Sequence, residues 1–457
     1  MKATFIGGGS LRLLPLFRGM FDKAPEIWDN GEIRLYDLRQ DRAEAVAALL
    51  RACPEFNNAK NCKVICPDNM DDALRGIDTL YLSMAAEQNP SLTLSRYIAH
   101  DHGIYSSDQL TINGAFLSLR LGGLILNMAK KMEQLCPNAL MLIFANPVSV
   151  YSYMVNEYTK IRALGVCGGF NNHRWDLTRM IFRKDECDEK WNVVAAGVNH
   201  LSYIIRGDYE GEDLYSSICP KHLTDSWTSL PGHEFACEAL YKAYRRYGTL
   251  IFSSESDGIA QLFPDFALEV LMKRLQTEAA FNRAETTEMA KQRINATFAK
   301  FIENSKHPET VNWGDGSLEA TNYYGINRFD IILPILKALA GIEKMRIVAS
   351  RPNYGAIRDL PEKCAVEYTM DIFKDQITPV EDQYIPRPFY GLTASLSEYQ
   401  TLIGDAIALH DNHLFANALA AFPQHTFAEN KRQLILKLFD LYSDVDPYML
   451  EAKKYFL

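Results

Sequence analysis

The chain has 457 residues, 47% hydrophobic and 23% charged, which is globular composition and enough length for two large domains. Its formal net charge of −9 excludes the basic footprint of a nucleic-acid binder or of a protein held on an anionic membrane. Uninterrupted apolar stretches such as Ala139 to Phe144 fall far short of the roughly 20 residues of a membrane span, and Met1 leads straight into a strand-like stretch without a signal-like region, so a cytoplasmic protein is expected.

In chain order, Lys2 to Ile6 reads as a first strand and Glu32 to Tyr36 as a second. Thr79 to Met84, Leu140 to Phe144 and Ala163 to Val166 read as a third, fourth and fifth. Between the third and fourth, Leu121, Leu124, Ile125, Met128, Met132 and Leu135 share one face at helical spacing. Strands alternating with helices in this way predict a doubly wound parallel sheet and an α/β fold. After about residue 190 the pattern changes. Val193 to Ala196 and Leu201 to Ile205 read as strands, followed by helical stretches at Glu234 to Tyr247, Glu269 to Phe301 and Thr401 to Ala421. No linker rich in Pro, Gly or Ser divides the halves, and no repeat or low-complexity tract is present. The boundaries drawn are residues 1–190 for a nucleotide-binding domain and 191–457 for a mixed α+β substrate-binding and oligomerisation domain.

The first strand runs into Gly7-Gly8-Gly9-Ser10, followed by the apolar Leu13, Leu14, Leu16 and Phe17. Glycines there allow a tight turn and close approach of a pyrophosphate, which rests on a helix N-terminus. Arg12 occupies the third glycine position of the full fingerprint. Asp37, at the end of the second strand, can accept hydrogen bonds from ribose hydroxyls and disfavours the extra phosphate of NADP. A structural turn with an ordinary surface aspartate is the plainer alternative. Strand, glycines and acid in one unit favour a Rossmann-like NAD site. The nine cysteines are dispersed and odd in number, which argues for reduced thiols, and Cys62 and Cys66 are read as small hydrophobes.

With these residues placed, the chain resembles glycoside hydrolase family 4, glycosidases that need NAD and a divalent metal. The resemblance rests on Gly7 to Ser10 with Pro15, on Leu35-Tyr36-Asp37, and on Gly103, Gly114 and Leu119-Arg120. It continues through Phe144-Ala145-Asn146-Pro147, Gly165-Val166-Cys167, Gly197-Val198-Asn199-His200, and Arg351 to Ile357 with Leu360-Pro361 and Val366-Glu367.

The resemblance implies that Cys167 and His200 hold a manganese-type ion with positions left for two sugar oxygens and water. It implies substrate contacts from Asn146, Asn199 and Asn171, the last with Asn172 and His173 close by. Taken alone, each residue has a plainer reading: a packed cysteine, a hydrogen-bonded histidine, an Asn-Pro turn. The base is a tyrosine in the family; Tyr241, Tyr244 and Tyr247, which precede Asp257, are the candidates, with core packing an equal reading of their spacing. Gly168, Ser107, Gly258, Gln261 and Ala85 stand where the family carries a polar group, a glutamine, a histidine, a glutamate and an arginine. Phosphosugar-cleaving members use that arginine, so the implied substrate is a non-phosphorylated hexoside or uronide.

The implied activity is glycoside cleavage without paired carboxylates. NAD takes a hydride from sugar carbon 3, the proton on carbon 2 becomes acidic, the metal stabilises the enediolate, and the glycosidic oxygen leaves. Water then adds and the hydride returns, so NAD is recycled rather than consumed. A hydroxy-acid dehydrogenase and a non-catalytic NAD and sugar sensor are the rival readings. The expected partner is a small-molecule glycoside, with no nucleic acid or membrane, in a homodimer or homotetramer.

Overall fold

Short apolar runs bounded by turn residues bury both of their faces, and here two such runs lie side by side at the centre of one sheet beside strands that are only partly buried. The protein is described from a computed structural model covering residues 1–84, 91–104, 107–169, 177–184, 191–219, 244–253, 287–314, 323–327, 330–423 and 428–457. Strands β1 (Lys2–Ile6), β2 (Glu32–Tyr36), β3 (Lys63–Ile65), β4 (Thr79–Leu82), β5 (Leu140–Ile143) and β6 (Arg162–Gly165) pair in parallel, in the order β3-β2-β1-β4-β5-β6. This is the strand order of a doubly wound dinucleotide-binding sheet. β4 and β5 are fully buried. β3, which the sequence reading does not anticipate, is a three-residue edge strand with only Val64 buried.

Helices α1 (Leu13–Lys23), α2 (Gln40–Ala52), α3 (Met70–Leu74), α4 (Ser91–Asp101), α5 (Ile112–Leu135) and α6 (Val148–Tyr158) belong to this half. Helix α5 begins earlier than its apolar stripe suggests, and that stripe is rotated. Leu124 is 45% exposed, while Gly122, Leu126 and Ala129 are buried. By length and composition α5 is apolar enough to cross a membrane, contrary to the reading that no stretch qualifies. It is nonetheless a core helix, because 67% of the apolar window is buried and Phe116 packs edge-on against Phe415 and Phe439.

The sheet does not stop at residue 190. Strands β7 (Trp191–Val198), β8 (Leu201–Tyr209), β9 (Glu212–Asp213), β10 (Ile251–Ser253), β11 (Met345–Pro352), β12 (Ala365–Phe373) and β13 (Gln376–Pro379) extend it to thirteen strands. β11 joins the edge of β6 in antiparallel register, and β12, β7, β8 and β10 follow outward. Helices α7 (Thr287–Lys306), α8 (Ile332–Leu339), α9 (Tyr390–Leu409), α10 (Asn412–Ala421), α11 (Ala428–Leu441) and α12 (Pro447–Leu450) complete the described residues.

The single helix expected over Thr401 to Ala421 is two. His410 ends α9 in the left-handed region at φ 53, and the Asp411 side chain caps α10 by accepting from the His413 and Leu414 amides. Of the other two helical stretches, residues 244–247 and 287–301 are helical, and the rest lies outside the described residues.

Candidate functional site

Strand β1 is followed by Gly7, whose φ of +84 turns the chain back toward β2. The amides of Gly7 and Gly8 both donate to the Tyr36 carbonyl, at 3.0 and 2.9 Å, and the Ser10 amide donates to the Gly7 carbonyl. A Cβ on Gly8 would stand 2.7 Å from the Tyr36 nitrogen, and one on Gly9 would stand 2.6 Å from Cβ of Arg42. The glycines therefore pack the turn against β2 and α2. Arg12, at the position of the fingerprint's third glycine, is exposed just ahead of α1.

Asp37 holds this turn directly. One carboxylate oxygen accepts from the Gly9 amide at 3.0 Å and the other from the Arg39 amide at 2.9 Å. A dinucleotide fits the set: a glycine-packed turn, the N-terminus of an eleven-residue helix, and an acid beside both.

Two strands away, Asn146 stands at the carboxyl end of β5, before a cis peptide to Pro147. Its side-chain NH₂ donates to Asp108 at 2.7 Å, and its oxygen accepts from Gln109. Gln109 in turn accepts from the Val148 amide at 3.2 Å. Asp108 and Gln109 are residues the sequence reading missed. They directly follow Ser107, whose hydroxyl accepts from the Gln109 amide.

Cys167 and His200, 33 positions apart in sequence, meet beside the end of β6, with Sγ 3.4 Å from Nε2. The Gly169 amide also donates to this sulfur at 3.4 Å. Both side chains are partly exposed. His200 occupies the tight turn between β7 and β8 with φ of 71, a conformation that favours glycine. A cysteine sulfur and an imidazole in contact are a donor pair for a divalent transition-metal ion. Among the described residues no group of three or more His, Cys, Asp or Glu is arranged to hold a metal, so substrate or water would complete the shell.

Beneath His200 lies a carboxyl group, Glu367, that is 2% exposed. It accepts from the Asn199 NH₂ at 2.6 Å and from the Ser202 hydroxyl at 2.8 Å. Burial pushes its pKa up, and the bonds from Asn199 and Ser202 and the neighbouring His200 pull it part of the way back. Asn199 is itself 1% exposed, and its side-chain oxygen is buried without a partner among the described residues. The Arg351 to Ile357 motif is accounted for by Asn353: its NH₂ donates to the Ile357, Leu360 and Pro361 carbonyls, and its oxygen accepts from the Ile357 amide, stapling the loop.

Tyr244 is partly buried against the small apolar cluster of Leu177, Trp191 and Leu214. Tyr247 packs edge-on against Phe389, whose ring stacks on Tyr203. Tyr241, Asp257, Asn171, Asn172, His173, Gly258, Gln261 and Ala85 lie outside the described residues. Ser253, the last residue of β10, pairs with Leu201, so the strand leading toward Asp257 ends beside the turn that carries His200.

Residues 2–181 match the family model described as family 4 glycosyl hydrolase, and residues 195–424 match its C-terminal domain. The chain is 24% identical over 448 residues to an alpha-galactosidase of Bacillus subtilis, covering 96% of both chains. It is 23% identical over 467 residues to an alpha-galacturonidase of Thermoanaerobacter italicus, again covering 96% of both. Its fold is shared with a 6-phospho-beta glucosidase from Thermotoga maritima solved with manganese, NAD+ and glucose-6-phosphate: TM-score 0.73, 15% identity, 97% of this chain and 99% of that one. Since the two matched stretches together span most of its length, the chain belongs to family 4 of the glycosyl hydrolases.

Proposed function

We propose that the protein cleaves the O-glycosidic bond of a non-phosphorylated hexoside or uronide, using a resident NAD and a manganese-type divalent ion. The observation that carries this is the contact between Cys167 and His200, at the strand end where ligands of doubly wound sheets bind. The two relatives named above, an alpha-galactosidase and an alpha-galacturonidase, support an unphosphorylated sugar.

In this reading residues 1–190 hold the nucleotide, and residues 191–457 supply substrate contacts and the interface of a homodimer or homotetramer. Gly7 to Ser10 and Asp37 receive the nucleotide, while Cys167 and His200 hold the ion. When bound, NAD supplies a hydride acceptor for sugar carbon 3 and the ion supplies Lewis acidity at the adjacent oxygens. Asn146, held on both sides by Asp108 and Gln109, presents a fixed amide to a sugar hydroxyl. The proton on sugar carbon 2 passes to a tyrosine base drawn from Tyr241, Tyr244 and Tyr247, with Asp257 as a further catalytic candidate. The seven described cysteines are all free, which supports a cytoplasmic setting.

The test is a panel of aryl galactosides and galacturonides, incubated with NAD and Mn²⁺ in deuterated water. Proton abstraction at carbon 2 places deuterium there in the released sugar, read by NMR. Complete cleavage with only protium at carbon 2 overturns the mechanism.

A further inference from the structure

The β7–β8 turn carries His200 in a backbone conformation that a non-glycine residue adopts only when its surroundings impose it. By register, Gly165, Ser350, Glu367, Gly197 and Ser202 form one row across β6, β11, β12, β7 and β8. Facing residues of such a row share one side of the sheet. Gly197 has no side chain, so the Ser202 hydroxyl reaches over it to Glu367; a Cβ at Gly197 would stand 2.3 Å from the Leu201 carbonyl oxygen. Glu367 therefore binds the residue before His200 through Asn199 and the second residue after it through Ser202.

We propose that Glu367 is a positioning residue whose carboxyl group bridges the two sides of the β7–β8 turn and fixes His200 against Cys167. Both bonds are made at 1–2% exposure or less, where no water competes. Without them the turn is free to relax toward an ordinary φ, and Nε2 leaves its place 3.4 Å from the sulfur. Ligands are commonly oriented in this way by buried partners, whose loss weakens metal binding roughly 10- to 100-fold. The inference rests on the reading of Cys167 and His200 as metal ligands.

The test titrates Mn²⁺ alone into the full-length chain by electron paramagnetic resonance, and follows protection of Cys167 from alkylation by mass spectrometry. Glu367→Ala should weaken Mn²⁺ binding tenfold or more and abolish the protection. Glu367→Gln should restore most of both, because its amide oxygen still accepts from Asn199 and the Ser202 hydroxyl turns round to accept from its NH₂. Thr369→Ala is the control for simple loss of stability. Thr369 lies on the same strand, and its hydroxyl bonds the Ala195 amide and carbonyl without touching the turn. This variant should lower the melting temperature and leave Mn²⁺ affinity unchanged. Should Glu367→Ala not fold, Ser202→Ala removes one of the two bonds and should still weaken Mn²⁺ binding severalfold. A Glu367→Ala protein, or in its place Ser202→Ala, that binds Mn²⁺ as tightly as Thr369→Ala overturns the inference alone. Unchanged Mn²⁺ affinity in Cys167→Ser overturns the metal-site reading and the inference with it.

Discussion

Asp37 braces the glycine turn through the Gly9 amide, and on the proposed reading its remaining lone pairs receive the adenine ribose. Wild-type protein should bind NADP more weakly than NAD by tenfold or more, about 1.4 kcal/mol. Asp37→Ala should weaken NAD without a matching gain for NADP, because the turn loosens for both. Fluorescence titration with the two reduced cofactors checks this, and a variant that simply exchanges preference would show that the brace is unimportant. Asp37 is read from its place at a strand end beside the glycine turn, whereas Cys167 and His200 are singled out only by the family resemblance, since each alone reads as packing or an ordinary hydrogen-bonded side chain. Glu367 is legible only as part of a motif, since its partner Asn199 is 168 positions away and no local pattern announces the bond. Asp108 and Gln109 escape for the same reason: what they do depends on Asn146, 38 and 37 positions further on.

Elements are legible in proportion to how much of their own pattern decides them. β1, β2, β4, β5 and β6 follow the runs read from the sequence within two residues at either end, β4 and β5 as continuous buried runs and β2 by its alternation. β3 is missed because a short edge strand with one buried residue has no alternation to detect. The α9–α10 break is missed because the apolar periodicity carries on across it. What stops the helix is backbone chemistry at His410 and Asp411, where the Asp411 carboxylate accepts from the His413 amide at 2.8 Å and the Leu414 amide at 3.1 Å. Asp411→Ala should cost about 1 kcal/mol, the usual value of an N-cap, and Asp411→Asn much less. Urea unfolding at constant m-value measures it; equal losses for the two variants would show that the oxygen acceptor is not what caps α10.

At the scale of the whole molecule, the nucleotide-binding half is stitched to the later chain by more than the shared sheet. Arg18, on the helix that follows the glycine turn, is 2% exposed. It bonds both oxygens of Glu55 at 2.7 and 2.6 Å, and it also donates to the carbonyls of Gly314 and Tyr324, about 300 positions away. Its guanidinium lies over the Trp313 ring, 5.3 Å from the centroid. The Asn327 amide bonds the Pro15 carbonyl nearby, so the returning segment is tied to the same helix twice. Glu55 neutralises an arginine that would otherwise be buried as a lone charge. Glu55→Gln should therefore cost about 3 kcal/mol at pH 7, the low end for breaking a buried pair, because the amide oxygen still accepts one bond. The pH dependence has a definite sign. Burial pushes the Glu55 carboxyl up, but the hydrogen bonds and charge of Arg18 outweigh it and leave the group below its ordinary 4.5. A carboxyl depressed in the folded state stabilises fully above its unfolded value and loses that contribution as pH falls through the folded value. The stability gap between wild type and Glu55→Gln should therefore hold steady down to about pH 5 and narrow below 4.5, in unfolding curves taken stepwise from pH 7 to 3. A gap that stayed constant to pH 3 would mean that Arg18 is held by its carbonyl and ring contacts, and that the ion pair adds nothing to the joint between the two halves.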